Sequence, residues 1–148
     1  MTEEKRRFWL PLTGLLLASA AAIICNIAAT ADPAGELPAL NLVMTLIFIA
    51  AWVLFFVYYQ SRSKAAYIVS LVYWGFVLLY GLTCVFPAVM ELFQFASPLM
   101  PVIMALLAPL MGLIVMWDFA GVALLFVLSA VFAGLSIYKL CKRKRTAA

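Results

Sequence analysis

Two acidic residues, Glu91 and Asp118, carry the only charged side chains in the long apolar stretch of residues 65–138. A carboxylate at the centre of a bilayer costs at least about 2.5 kcal/mol, so one that is kept there usually belongs to an ion or proton path. We therefore predict that Glu91 and Asp118 form a candidate ion or proton site. The alternative is a solvated helix end at the membrane interface, because Asp118 follows Trp117 and Glu91 lies four residues after Pro87.

The remaining side chains offer little other chemistry. The chain has no histidine, which excludes bis-His haem, His-containing metal sites and a Ser-His-Asp triad. Its three cysteines form no C-x-x-C pair, and there is no paired-carboxylate motif or glycine-rich phosphate loop. We predict no catalytic residue, no cofactor, no bound metal and no enzymatic activity. The basic C-terminal run lacks interleaved aromatic residues, so a nucleic-acid partner is not expected.

The composition indicates which elements must position these residues. The chain is 68% hydrophobic and 11% charged, with a mean hydropathy of +1.15, whereas soluble domains carry about 25% charged residues. The apolar residues form blocks of about 20, the length of a helix that crosses the hydrocarbon core. We predict an all-α, polytopic transmembrane helical bundle that forms a single domain over residues 1–148 and has the lipid bilayer as its partner.

The basic residues predict how the chain is threaded. All ten lie in three short stretches, at residues 5–7, 62–64 and 139–145. Because Lys and Arg are retained on the cytoplasmic side of a membrane, both termini are predicted to be cytoplasmic, with an even number of spans between them. The alanine-rich composition is more typical of a bacterial inner membrane.

Four spans are predicted at about residues 8–30, 41–59, 65–86 and 119–138. Pro11 falls in the first turn of the first span, where its missing N–H costs little.

Residues 1–31 also resemble a signal peptide, with a small-x-small cleavage pattern at residues 29–31. An uncleaved span is favoured, because the apolar run exceeds the usual length of a signal core.

Residues 98–117 are ambiguous because they are apolar enough to cross the bilayer. Three prolines, Pro98, Pro101 and Pro109, favour a broken re-entrant or interfacial helix beside four spans. Residues 117–121 could instead form a tight helical-hairpin turn, which would give five spans and place the two termini on opposite sides.

Small residues at helical spacing predict packing surfaces. Gly14, Ala18 and Ala22 recur every four residues in the first span, and Ala130 and Gly134 do so in the last. Small side chains let helix backbones approach closely in lipid, either inside one bundle or in a homo-oligomer or a complex with another membrane protein. Asn26 and Thr45 are predicted to form hydrogen bonds between helices.

The sequence therefore favours a non-enzymatic, helix-packing or accessory membrane protein. The alternative is a small oligomeric transporter or channel that uses Asp118 or Glu91, with the proline-broken segment lining its path. A membrane-embedded enzyme acting on lipids is the least favoured, because the chain lacks histidine and has no basic residue on the outer side.

An aromatic belt is predicted at the inner interface, formed by Tyr58, Tyr59, Tyr67, Trp9 and Tyr138.

Overall fold

The computed structural model describes residues 3–31, 38–59, 64–85 and 100–145, and every regular element in this part of the chain is helical. The five helices are α1 (Glu3–Ala31), α2 (Pro38–Tyr58), α3 (Ala65–Val85), α4 (Met100–Leu107) and α5 (Met111–Arg145), with a 3₁₀ turn at Ala108–Leu110. Four stretches are long and apolar enough to cross a membrane: Trp9–Ile27, Ala39–Tyr58, Ala65–Leu82 and Ala120–Lys142. The predicted all-α, multi-pass architecture is confirmed.

The helices extend beyond the predicted spans at both termini, most of all in α5, which covers Met111–Arg145 where a span at residues 119–138 is predicted. Helix α1 begins at Glu3, so Pro11 lies inside the helix. Pro11 is near the start of the apolar span, which begins at Trp9. The prediction of a first-turn proline is therefore wrong for the helix. Because Pro11 has no N–H, the carbonyl of Arg7 lacks its usual helical partner four residues on.

The chain divides into two compact units, which we describe separately. The first combines residues 1–61 with residues 96–121, and the second combines residues 62–95 with residues 122–148. Helix α5 contributes its start to the first unit and its remainder to the second.

In the first unit, α1 and α2 pack against each other, and the proline-broken segment packs against both of them. Helix α4 ends at Leu107, two residues before Pro109. This position follows from the chemistry of proline, which cannot donate to the carbonyl of Ala105 and disfavours helical geometry at Ala108. The apolar stretch Pro101–Ile114 has 14 residues and a helical length of about 21 Å, compared with about 30 Å for the hydrocarbon core.

The second part of the broken segment is embedded in protein, whereas Pro101, Val102 and Leu106 of α4 are exposed. Seven consecutive residues, 107–113, are buried, including the whole 3₁₀ turn. A surface-lying helix would expose one side at every turn. Irregular backbone at membrane depth is tolerated only where protein or a water-filled cavity surrounds it, and the burial of residues 107–113 meets that condition.

Directly after this segment the chain turns back on itself. Residues eight apart on a straight helix are separated by about 12 Å, yet a Cβ added to Gly121 would overlap the carbonyl group of Leu113. The helical path of α5 is therefore sharply bent between Leu113 and Gly121. The turn predicted at residues 117–121 lies inside this bend.

The second unit contains α3 and the later part of α5. The ring of Trp74 stacks on Phe132 with centroids 4.5 Å apart, and Gly81 lies close to Phe126. The Ser70 and Ser136 hydroxyls are 2.9 Å apart and buried. Because Ser136 donates its hydrogen to the Phe132 carbonyl at 2.8 Å, Ser70 must be the donor between the two hydroxyls.

The predicted aromatic belt is only partly correct. Trp9, Tyr58 and Tyr138 are exposed, as residues at a lipid interface should be. Tyr59 and Tyr67, however, are buried, and Tyr59 stacks on Phe55 with centroids 4.5 Å apart. Adjacent tyrosines on a helix point in different directions, so Tyr58 and Tyr59 cannot both face lipid.

Candidate functional site

Three elements of the first unit meet at a small cluster of buried polar groups, which we call the polar joint: Asn26, Thr45, Pro109 and Gly112. The Asn26 Nδ2 atom donates to Thr45 Oγ1 at 3.0 Å and to the Pro109 carbonyl at 3.4 Å. The Gly112 N–H donates to the same Thr45 Oγ1 at 3.1 Å. Asn26 and Thr45 are both 0% exposed. The predicted hydrogen bonds of Asn26 and Thr45 between helices are confirmed.

Each bond of the polar joint has a physical reason. Gly112 lies in the first turn of α5, where backbone N–H groups have no partner within the helix. Thr45 supplies that partner from α2. A carbonyl can only accept, so the bond to Pro109 determines which end of the Asn26 amide faces the broken segment. The other end, Oδ1, is buried and has no hydrogen-bond partner among the described residues.

Glycine is required where α5 begins because two backbones touch there. A Cβ at Gly112 would overlap the carbonyl group of Asn41, and it would also meet the Leu42 nitrogen at 2.6 Å. Both are backbone atoms that cannot rotate away. Asn41 lies in the first turn of α2, so the end of the broken segment sits beside the beginning of α2.

The opposite half of α1 and α2 contains an apolar groove of about 530 Å³. Four of the residues that line it are small, namely Gly14 and Ala18 from α1 and Ala50 and Ala51 from α2. Leu10 and Tyr58 line the end nearest the start of α1 and the end of α2. A Cβ at Gly14 would meet no atom within 4 Å, so Gly14 opens the groove and is not needed for close packing inside this chain.

The last span carries a second open surface. Val127, Ala130, Gly134 and Ile137 are all exposed, and their spacing places them on one side of α5; we call this the small-residue face. The buried residues Ser129, Phe132 and Ser136 lie on the other side. A Cβ at Gly134 would meet no atom within 4 Å.

The predicted packing residues therefore divide into three groups. Ala22 is buried at 0% exposure and packs inside the protein. Gly14 and Ala18 line the groove, whereas Ala130 and Gly134 are exposed. The spacing alone could not distinguish internal from external packing, because the same small-residue pattern serves both.

The predicted ion or proton site stays a prediction. Glu91 lies outside the described residues. Asp118 lies in the bent part of α5, and its side chain is also outside the described part of the chain. The polar joint was only half anticipated, since Asn26 and Thr45 are polar residues in apolar spans, whereas Pro109 and Gly112 contribute backbone atoms that composition does not reveal.

Compared with protein-family models, curated proteins and solved structures, the chain matches none of them. In the described part of the chain, four long apolar helices support a multi-pass, all-α helical membrane protein.

Proposed function

We propose that this chain is a non-enzymatic membrane protein that acts by packing its last span against another transmembrane helix, in the first instance that of a second copy. The observation that carries the proposal is the small-residue face. Gly134 and Ala130 are exposed at i, i+4 spacing on a spanning helix, and Gly134 makes no close contact that would need a missing Cβ. Close backbone approach between helices is the use that such residues have in lipid.

A second copy fits this face for a geometric reason. Two identical helices that cross at Gly134 place the same small residues opposite each other, so one patch serves both partners around a two-fold axis. The branched residues Val127 and Ile137 lie above and below the small pair on the same side of α5. They can pack around the crossing point without blocking it.

Cross-linking in membranes tests this proposal. A Gly134→Cys variant, with Cys25, Cys84 and Cys141 changed to Ala, should form a disulfide-linked dimer on mild oxidation. In the otherwise native chain, Gly134→Leu should lower the dimer fraction measured by energy transfer between labelled copies. Gly14→Leu is the matched control, because Gly14 is equally open but lies in the groove. Equal dimer fractions for Gly134→Leu and the native protein would contradict the proposal.

The same proposal includes the threading of the chain, with four spans and both termini in the cytoplasm of a bacterial cell. The supporting observation is the contact of Gly112 with Asn41, which puts the end of the broken segment beside the first turn of α2. In a five-span arrangement the broken segment would cross the bilayer and end at the level of Tyr58 instead. A last span of 23 residues, Ala120–Lys142, is long enough to cross the bilayer, and retention of its basic end on the inner side agrees with an outer start.

A transporter or channel that uses Asp118 or Glu91 remains the competing prediction. Its structural requirement, burial of the proline-broken segment in protein, is met by residues 107–113. These buried residues are apolar apart from their backbone, however, and the polar groups that the segment presents bond to Asn26 and Thr45. This use of the polar groups in packing favours the helix-packing role.

A further inference from the structure

We propose that the groove between α1 and α2 binds one acyl chain of an anionic phospholipid from the leaflet at the start of α1, with Arg7 binding the headgroup. The proposal rests on the protein spanning a membrane, and it is independent of the small-residue face. The groove differs from that face in shape, chemistry and position along the helices.

The dimensions of the groove suit a single lipid chain. Its volume of about 530 Å³ lies within the range of ligand pockets, about 300–1,000 Å³. It extends about 12 Å along α1, from Leu10 to Ala18, and about 16 Å along α2, from Ile47 to Tyr58. Half of the hydrocarbon core is about 15 Å thick. The groove therefore matches the depth of one leaflet, whereas a partner helix would extend through both.

The lining of the groove is apolar along its length and includes a polar group only at one end. Its lining includes the small residues Gly14, Ala18, Ala50 and Ala51, which leave room for a chain, and the larger residues Leu15 and Leu54. Tyr58, which is 60% exposed, brings a hydroxyl to the end that faces the interface. Such a groove accepts the methylene groups of an acyl chain but gives a polar ligand nothing to bond along its depth.

Basic residues precede this end of the groove in the sequence. Lys5, Arg6 and Arg7 belong to the helical part of α1, three to five residues before Leu10. At 100° per residue, position 7 lies on the face that carries Leu10, Gly14 and Ala18, whereas position 6 is about a quarter turn away. Glu3 and Glu4 lie one turn farther from the groove. A lipid with an anionic headgroup is the ligand that satisfies both the apolar groove and the basic end.

The test measures lipid retention by native mass spectrometry on protein released from nanodiscs that contain phosphatidylglycerol and phosphatidylcholine in equal amounts. The native protein should retain one phosphatidylglycerol molecule in preference to phosphatidylcholine. Gly14→Leu places a branched side chain in the groove and should lower the fraction of protein that retains phosphatidylglycerol. The Cβ of residue 14 meets open space and leucine suits a helix, so this variant should fold. Gly134→Leu is the matched control and should retain the lipid.

The headgroup contact is tested by two neighbouring charge removals. Arg7→Gln should weaken phosphatidylglycerol retention by about fivefold, the effect of one basic residue at a membrane surface. Arg6→Gln removes the same charge beside the groove face and should have a smaller effect. Equal losses for Arg6→Gln and Arg7→Gln, or equal retention of the two lipids, would overturn the proposal in favour of nonspecific surface attraction. If Gly14→Leu lowered the dimer fraction but left phosphatidylglycerol retention unchanged, the groove would instead be the binding surface for a second copy of the chain.

Discussion

Thr45 is the residue on which the polar joint depends, because its side-chain oxygen accepts hydrogen bonds from two different elements. Asn26 of α1 and the Gly112 N–H of α5 both donate to Thr45 Oγ1. Thr45 is fully buried in a span, so neither donor can turn to water if the oxygen is removed. A polar atom that is lost here leaves its partners unsatisfied, which costs more than the bond alone.

We therefore expect Thr45→Val, which keeps the shape of the side chain, to lower the free energy of unfolding by about 1–2 kcal/mol. Reversible denaturation in mixed micelles would measure this loss. Ser19→Ala is the control, since the Ser19 hydroxyl bonds only to the Leu15 carbonyl of its own helix at 2.7 Å. An equal effect of the two substitutions would show that the polar joint does not couple the helices.

At the scale of elements, the broken segment and α2 are held together by backbone contact. Gly112 touches the Asn41 carbonyl and the Leu42 nitrogen, and neither group can move without shifting α2. Helix–helix contact at this distance is possible only where a residue lacks a Cβ. The position of the broken segment therefore depends on the absence of a Cβ at residue 112 as well as on the apolar residues around it.

Gly112→Ala should accordingly destabilise the protein by about 1–3 kcal/mol, as overpacking does in a filled core. The same substitution at Gly75, where a Cβ meets no atom within 4 Å, should be neutral or stabilise α3 by up to about 1 kcal/mol through helix propensity. The difference in thermal denaturation midpoint between the two alanine variants measures the destabilisation caused by a Cβ at the contact between residue 112 and α2. If both variants shifted the midpoint in the same direction, the contact between α5 and α2 would be wrong.

Some elements could be predicted from the sequence and others could not, for identifiable reasons. The four spans follow from apolar blocks bounded by charges and breakers, and the predicted ranges agree with the helices to within a few residues at most ends. The interruption at Pro109 follows from the chemistry of proline. The bend between Leu113 and Gly121 could only be suggested, because it depends on backbone contact between residues that carry no distinctive side chain.

The packing partners of a residue are the least predictable feature. Gly14, Ala22 and Gly134 belong to the same small-residue pattern, yet one lines a groove, one is buried and one lies on an open face. In a membrane, buried and lipid-facing positions are both apolar, so hydrophobic periodicity does not separate them. For the same reason, the sequence showed neither the groove nor the side of α5 that stays exposed.

At the scale of the whole molecule, threading is the central claim. The contact of Gly112 with Asn41 places the end of the broken segment at the start of α2, and Gly121 lies beside Leu113. With four spans, all ten basic residues lie on one side of the membrane; with five spans, residues 139–145 are on the other side. The positive-inside tendency and the Gly112 contact are independent arguments, and both favour four spans.

Cys141 tests this claim most directly, because it is exposed and lies at the end of the last span among basic residues. Cys25 and Cys84 would be changed to Ala, so that Cys141 is the single thiol in intact cells. A membrane-impermeant maleimide should leave Cys141 unlabelled until the cells are opened. Cys introduced at Ala34, which the four-span arrangement places outside the cell between the first two spans, should react at once. Labelling of Cys141 from outside intact cells would contradict the four-span arrangement.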